Sequence, residues 1–485
     1  MNPGATSTTV FSSPDPTQVG QPVAITANVA VLAPGSGTTN GIVTFDFGDG
    51  TPPVTVPGVA GVAAVTHAYT ETSGSPYTIS ATYGDDGDFA PSTGTDVHTV
   101  HPSSTTTTVT ADPDPSVVGQ ETTITATVAP VPPGAGVPSG TVTFDFGDGT
   151  PAVGVPLAGG AAILPHTYAS SLGSPYTITA TYGGGDDFRS SADTEPQTVV
   201  QSATTTTVNP APEPSVVGQP VTFTATVAPV APGGGSPTGT VTFDFGDGST
   251  PAATPVVGGL ATAVHVYTTA AGSPYPVTAT YGGSPDFTGS ADLVTHSVGR
   301  ALTTTAVVSA PDPSVAGQPV TVTATIAAVA PGAGTPTGTV TFDFGDGAAP
   351  ATAPVTAGVA TVAHAWADTS GSPYTITAGY GGDSDFTAST GTDTHTVAPA
   401  ATHTDVTPSP DPSVTGQPVT IGATVSAVAP GAGTPTGTVT IDPGDGSPAV
   451  TAPMSAGVAT VTHTYTDGAG SPYTITATYA ATRTS

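Results

Sequence analysis

The residues in this sequence best equipped for chemistry recur in step. His67, His166, His265, His364 and His463 stand 99 residues apart. An imidazole titrates near neutral pH and is the commonest general base. A base acts on a nucleophile beside a pocket for developing charge. No nucleophile, oxyanion pocket or basic partner repeats with these histidines. Each therefore reads as a hydrogen-bonded, partly buried structural group, on the strand face that carries Tyr69, Tyr168, Tyr267, Trp366 and Tyr465. No catalytic residue is assigned, and the chain reads as non-enzymatic.

The carboxylates suggest a cation instead. Asp46 and Asp49 lie in Phe45-Asp46-Phe47-Gly48-Asp49-Gly50. There a turn explains them: Gly supplies positive φ, and Asp accepts from nearby backbone N–H groups. Asp85, Asp86 and Asp88 are a weak calcium candidate, because calcium gathers several carboxylate and carbonyl oxygens. The third repeat offers one acid in that place, Asp286 after Gly282-Gly283-Ser284-Pro285, so a calcium site along the whole array is not expected. The Asp112-Pro113-Asp114-Pro115 segment is a second, weaker candidate. No cofactor-binding residue is assigned. Carbohydrate recognition commonly uses exposed aromatic platforms, yet aromatics are 6% of the chain and fall mostly in core phase. Trp366 aligns with tyrosines and reads as core.

These residues are positioned by a repeat. Phe45-Asp46-Phe47-Gly48-Asp49-Gly50 returns at Phe144, Phe243 and Phe342, and as Ile441-Asp442-Pro443-Gly444-Asp445-Gly446. Tyr77, Tyr176, Tyr275, Tyr374 and Tyr473 follow Gly-Ser-Pro at the same spacing, as do Gly20, Gly119, Gly218, Gly317 and Gly416. Three markers share one 99-residue register. Solenoid repeats run to about 20–50 residues, whereas about 100 residues is the size of an immunoglobulin sandwich. The expected units are 1–102, 103–201, 202–300, 301–399 and 400–485.

Inside a unit the alternation has period two. Val320, Val322, Ala324 and Ile326 share one face, with Thr321, Thr323 and Thr325 on the other. Tyr374 and Ile376 are spaced like the tyrosine-corner residue and the cysteine of antibody domains, so an apolar pair is expected to stand in for a disulfide. Pro-Gly and Gly-rich turns break any helical period. The predicted fold is all-β: five tandem sandwiches in an elongated rod. Linkers such as His101-Pro102-Ser103-Ser104 are short, which limits bending. The fifth unit is expected to lack its last strand, because the Thr394-His395-Thr396-Val397 segment has no counterpart before Ser485.

Composition bounds the partners. Asp and Glu total 34 against 3 Lys plus Arg, a net charge of −31 that repels phosphate backbones and excludes nucleic acid as a partner. The absence of Cys rules out disulfides and thiolate sites. No apolar run approaches 18 residues, so membrane insertion by a helix is not expected. Met1-Asn2-Pro3-Gly4 does not resemble a secretory signal.

The framework from Thr303 to Phe386 resembles bacterial Ig-like repeat domains of secreted and surface proteins. It includes Gly-Gln-Pro-Val, Pro-Thr-Gly-Thr-Val-Thr-Phe and Asp-Phe. The Phe-Asp-Phe-Gly-Asp-Gly segment, with His364 and Tyr374 beyond it, also resembles the polycystic-kidney-disease-type (PKD) domain, with Phe where that family usually carries Trp. The resemblance implies an extracellular or cell-surface stalk or adhesin-type segment, whose partners are other proteins or surface polysaccharide. Two further roles stay open: accessory binding modules of a secreted hydrolase, and a fibre subunit that self-associates head to tail by strand complementation.

Overall fold

A computed structural model describes residues 2–481 of the chain. All its regular elements are strands. Repeat 1 sets the pattern with β1 (Thr6–Ser13), β2 (Thr17–Gln18), β3 (Pro22–Val31), β4 (Ile42–Asp46), β5 (Val54–Pro57), β6 (Val62–Ala68), β7 (Tyr77–Tyr83), β8 (Ser92–His98) and β9 (Val100–His101). One sheet has the order β1-β3-β6 and the other β5-β4-β7-β8, both antiparallel. Repeats 2, 3 and 4 repeat this arrangement.

The period-two pattern decides which side chains meet between the sheets. Val23, Ile25 and Ala27 of β3 face inward and are fully buried, as are Phe45 of β4 and Ile79, Ala81 and Tyr83 of β7. The alternate positions are mostly threonine, whose β-branched polar side chain suits an exposed strand face. Burying each large apolar side chain contributes roughly 1.5–3 kcal/mol. Ile376, at the antibody cysteine position, and Val322 are both fully buried, so aliphatic packing fills the place of a disulfide.

The end of each of repeats 1–4 differs from a single closing strand. β8 pairs with β7 in one sheet; the pairing breaks at Thr99, and β9 then pairs in parallel with β2. Thr396 marks the same break in repeat 4, between Ser389–His395 and Val397–Ala398. The last segment therefore forms a separate two-stranded ladder with β2.

Among the described residues, repeat 5 contains two three-stranded sheets. One contains Thr402–Ser409, Pro418–Ala427 and Val458–Thr464; the other contains Val450–Pro453, Gly437–Asp442 and Thr476–Ala481. Its buried residues form a cluster of their own. Those of repeats 1–4 form one cluster that continues through the repeat boundaries. Phe188, Phe287 and Phe386 stand at the leading ends of repeats 2, 3 and 4 and are buried there.

Candidate functional site

The recurring histidines and the Gly-Asp-Gly turns meet. Asp46 accepts from the N–H of Gly48, and Asp49 accepts from the N–H and hydroxyl of Thr51. These are the side-chain-to-backbone bonds that stabilise Asx turns. The other oxygen of Asp49 lies 2.6 Å from Nε2 of His67. The same pair recurs at 2.8 Å for His166–Asp148, 2.7 Å for His265–Asp247, 2.7 Å for His364–Asp346 and 2.8 Å for His463–Asp445. His67 stacks on Phe47 with centroids 3.9 Å apart and meets Tyr69 edge-on at 4.7 Å.

The order of bonding matters for chemistry. In repeats 1 and 2 the nearby hydroxyl, Thr51 or Thr150, binds the carboxylate and leaves the imidazole without a hydroxyl to deprotonate. A hydroxyl–imidazole–carboxylate relay needs the imidazole in the middle. The pair braces the turn against β6. Burial pushes the Asp49 carboxyl up, but hydrogen bonds from Thr51 and then His67 outweigh it and hold the group below 3.8. Asp445 is pulled to about 2 by Ser447 and His463.

A second set of histidines is more deeply placed. His98, His296 and His395 end the strands that close repeats 1, 3 and 4, and all three are fully buried. His395 contacts Ser314 at 2.8 Å through Nε2 and Ser309 at 3.0 Å through Nδ1, with Asp312 at 3.5 Å. It stacks on Trp366 with centroids 4.3 Å apart, and the indole N–H of Trp366 donates to the carbonyl of Phe344. Repeat 2 places Gln197 here, bonded to Ser116.

This difference predicts different acid responses. Burial, the largest effect, lowers His98 and His395 from the ordinary 6.5 despite the raising influence of nearby aspartates. Folding thus disfavours their protonation. The unfolded chain takes up those protons first, so stability is lost as pH falls below about 6.5. The depressed Asp49 and Asp346 act in a lower window: their contribution holds above 3.8 and is lost as pH falls through their folded values. Trp366, the one tryptophan, reports on repeat 4. Its fluorescence melting temperature should be lower at pH 5.5 than at pH 7.5. His395→Gln should remove most of that drop. An unchanged pH dependence in the variant contradicts the assignment.

The weak calcium residues serve their own loop. Asp85 accepts from Gly87, and Asp86 accepts from Asp88, Phe89 and the Tyr83 hydroxyl. The Tyr83 hydroxyl is pushed up to about 12, by burial first and then by Asp86. Asp114 accepts from the N–H of Thr198, so the Asp-Pro-Asp-Pro segment secures the last strand. Among the described residues, no group of three or more His, Cys, Asp or Glu side chains is arranged to hold a metal ion. Trp366 is buried in the core.

The structure gives the acid of the Asp-Phe pair a role that sequence reasoning did not assign. Asp187 of repeat 2 reaches back to repeat 1 and accepts from the N–H of Thr72 at 2.7 Å and its hydroxyl at 3.1 Å. Asp286 accepts from Ser171 N–H at 2.7 Å and Ser170 hydroxyl at 2.9 Å, and Asp385 from Ala270 N–H and Thr269 hydroxyl, both at 2.8 Å. Beside these three clamps a backbone bond crosses the joint, Ala135 N–H to Val19, Gly234 to Val118 and Ala333 to Val217, and the bond from Ala432 N–H to Ala316 crosses the joint between repeats 4 and 5. The glycine of the Val-Gly-Gln marker is the point of closest approach. A Cβ on Gly20 would lie 2.4 Å from the carbonyl oxygen of Ala135, and one on Gly218 would lie 2.3 Å from that of Ala333. The available signal was the acid's persistence at Asp88, Asp187, Asp286 and Asp385 while its neighbours change.

The sequence model of the family described as "Bacterial Ig-like domain (group 3)" matches residues 109–201, 206–299 and 307–398. No curated protein matches the chain. Among solved structures it is similar to the N-terminal eight Ig domains of Down Syndrome Cell Adhesion Molecule isoform 1.30.30. That match has 13% identity and a TM-score of 0.23, and covers 95% of this chain and 66% of the other. It is also similar to a Salmonella alpha-2-macroglobulin reacted with methylamine, at 11% identity and a TM-score of 0.18, covering 95% of this chain and 37% of the other. The chain thus spans less than two thirds of either structure, and these overlaps carry no functional weight.

Proposed function

The chain belongs to the family of bacterial Ig-like domains (group 3), and on that premise we propose that it is a non-catalytic stalk or adhesin-type spacer of a surface or secreted bacterial protein. One observation supports this above the others. Three successive joints, between repeats 1 and 2, 2 and 3, and 3 and 4, use the same carboxylate clamp and the same backbone bond. Identical joints give each repeat the same offset from the last, which a spacer needs and a set of independent binding modules does not. Hydrogen bonds to a charged group contribute about 1.5–3 kcal/mol each where shielded from water, enough to hold a joint against thermal bending. The net charge of −31 keeps such a rod soluble and separate from its neighbours. An extracellular setting follows from the same reading, as does a PKD-like character for the Phe-Asp-Phe-Gly-Asp-Gly turn.

A deletion in register tests the role. A reporter head is placed at the amino end, the carboxyl end is anchored to a surface, and residues 202–300 are removed. The head should sit closer to the surface by roughly 30–40 Å, the length of one unit of eight-residue strands with loops. Its affinity for its own ligand should not change. Loss of surface or glycan recognition by the deletion itself would instead make the repeats the binding element.

A further inference from the structure

We propose a further function for the units themselves: each of repeats 1–4 bears tension along the chain, through a shear lock between its opening and closing stretches. This does not rest on the spacer reading, because the lock follows from how a single unit is connected. Repeat 3 illustrates it. Its opening stretch comprises Thr204–Ala211 and Ser215–Val216, and its closing stretch comprises Ser290–His296 and Val298–Gly299. Both run the same way. At the leading end, Ser202 donates its N–H to the carbonyl of Asp286 and accepts from the N–H of Thr288. Asp286 also accepts from Ser171 of repeat 2. At the trailing end, Val217 donates its N–H to Gly299 and accepts from Ala333 of repeat 4. The chain thus enters the unit on one stretch and leaves it, at the opposite end, on the other.

Contacts between the two stretches advance in step. Thr204 and Thr206 share hydrogen bonds with the Ser290 hydroxyl at 2.8 and 2.7 Å, and Val208 N–H donates to Asp292 at 2.9 Å. Glu213 accepts from the N–H of Ser297 at 3.0 Å. Ser215 and Val217 donate their N–H groups to the carbonyls of Ser297 and Gly299, each at 3.0 Å. The other units keep the charged members. Asp96, Asp193 and Asp393 accept from the N–H groups of Ser12, Val109 and Ser309. Asp15, Asp114 and Asp312 accept from those of Thr99, Thr198 and Thr396.

His296 stands at the centre of the lock. Its Nε2 lies 2.8 Å from the hydroxyl of Ser215, and its Nδ1 meets the carboxylate of Glu213. That is the order a hydroxyl–imidazole–carboxylate relay needs. Yet Ser215 is 2% exposed and His296 0%, so no substrate reaches the hydroxyl. The three side chains hold the two stretches together instead.

Direction decides strength. A pull along the chain draws the Thr204 end one way and the Gly299 end the other. The stretches must then slide past each other, and their contacts are loaded together. A pull that lifts the closing stretch from one end loads them one at a time. Forced unfolding follows the unfolding barrier, so a contact broken at the barrier counts fully and one that survives there does not.

The chain has no Cys, so pairs of introduced cysteine handles can set the direction of pull on the full chain. Gln201→Cys with Arg300→Cys loads repeat 3 from end to end. Ala271→Cys with Arg300→Cys holds it at the trailing end alone, since the neighbouring Ala270 meets Asp385 of repeat 4. At one constant force in optical tweezers, repeat 3 should last at least about tenfold longer in the first geometry. With that first pair, Asp292→Ala should shorten the lifetime about tenfold, for loss of one charged hydrogen bond. Asp247→Ala removes the carboxylate paired with His265, which lies outside the lock, and should change the lifetime less than about twofold. Equal lifetimes in the two directions, or equal effects of the two alanine substitutions, overturn the proposal. Either result leaves the spacer reading standing, because deletion of residues 202–300 tests that reading by itself.

Discussion

Replacing Gly218 by valine should unlock the joint between the third and fourth repeats. Gly218 sits at φ 78°, and a Cβ there would stand 2.3 Å from the carbonyl oxygen of Ala333. Backbone atoms cannot rotate out of the way, so the two repeats must separate by at least several tenths of an ångström. That breaks the bond from Ala333 N–H to Val217 and strains the Asp385 clamp beside it. The substitution also carries a local cost of about 1–2 kcal/mol for a side chain in the left-handed region. Gly416→Val separates the two effects. Gly416 has φ 81°, yet an added Cβ there meets nothing within 4 Å. Both variants should lose similar local stability. Only Gly218→Val should broaden the distance distribution between spin labels on repeats 3 and 4. Equal broadening in both, or in neither, contradicts the role of the glycine as a joint contact.

Phe243→Ala should cost about 3–5 kcal/mol and unfold one repeat. Phe243 is fully buried between the sheets of repeat 3, where Val241, Ala279 and Phe245 are buried too. A unit of this size is marginally stable, about 5–15 kcal/mol, so this loss is a large share. The contacts removed lie within one sandwich, and the joints to repeats 2 and 4 run through different residues. Hydrogen exchange should speed up across residues 204–299 and stay slow in the strands of repeats 1 and 5. Because the buried cluster continues through the joints of repeats 1–4, the nearest strands of repeats 2 and 4 should show a smaller gain in exchange. Uniform acceleration along the chain would mean that the units do not fold as units.

The sequence carried the sandwich clearly because its signals are local. Alternation along Val320–Ala328 predicts the inward face of that strand, and the structure buries Val320, Val322, Ala324 and Ile326. The Gly-Asp-Gly turn was equally legible, since Asp46 and Asp49 act on residues two positions away. The His67–Asp49 bond spans 18 residues and joins two markers that were read separately. Its geometry depends on how the turn folds over the strand that carries the histidine, which spacing alone does not give. The joint was hidden for a stronger reason. Thr72 and Asp187 are 115 residues apart and belong to different repeats. Each looks like ordinary loop composition until the fold sets the tip of one unit against the leading end of the next. The glycine marker was seen as a register mark, and its crowding against Ala135 became visible only in three dimensions. The change of partner at Thr99 was also out of reach, because strand pairing in parallel with Thr17–Gln18 leaves no periodic trace in two residues.

Small-angle scattering of the whole chain at neutral pH bears most directly on the central claim, that repeated joints hold five sandwiches end to end. Five units of roughly 30–40 Å give a longest dimension on the order of 150–200 Å, and a radius of gyration of about 50 Å. A 485-residue chain collapsed into one body would give about 23 Å. A rod-like profile with a cross-section of one sandwich, unchanged by moderate salt, is the result expected here. A radius near the compact value, or a profile that shifts continuously with ionic strength as for freely jointed units, would contradict it.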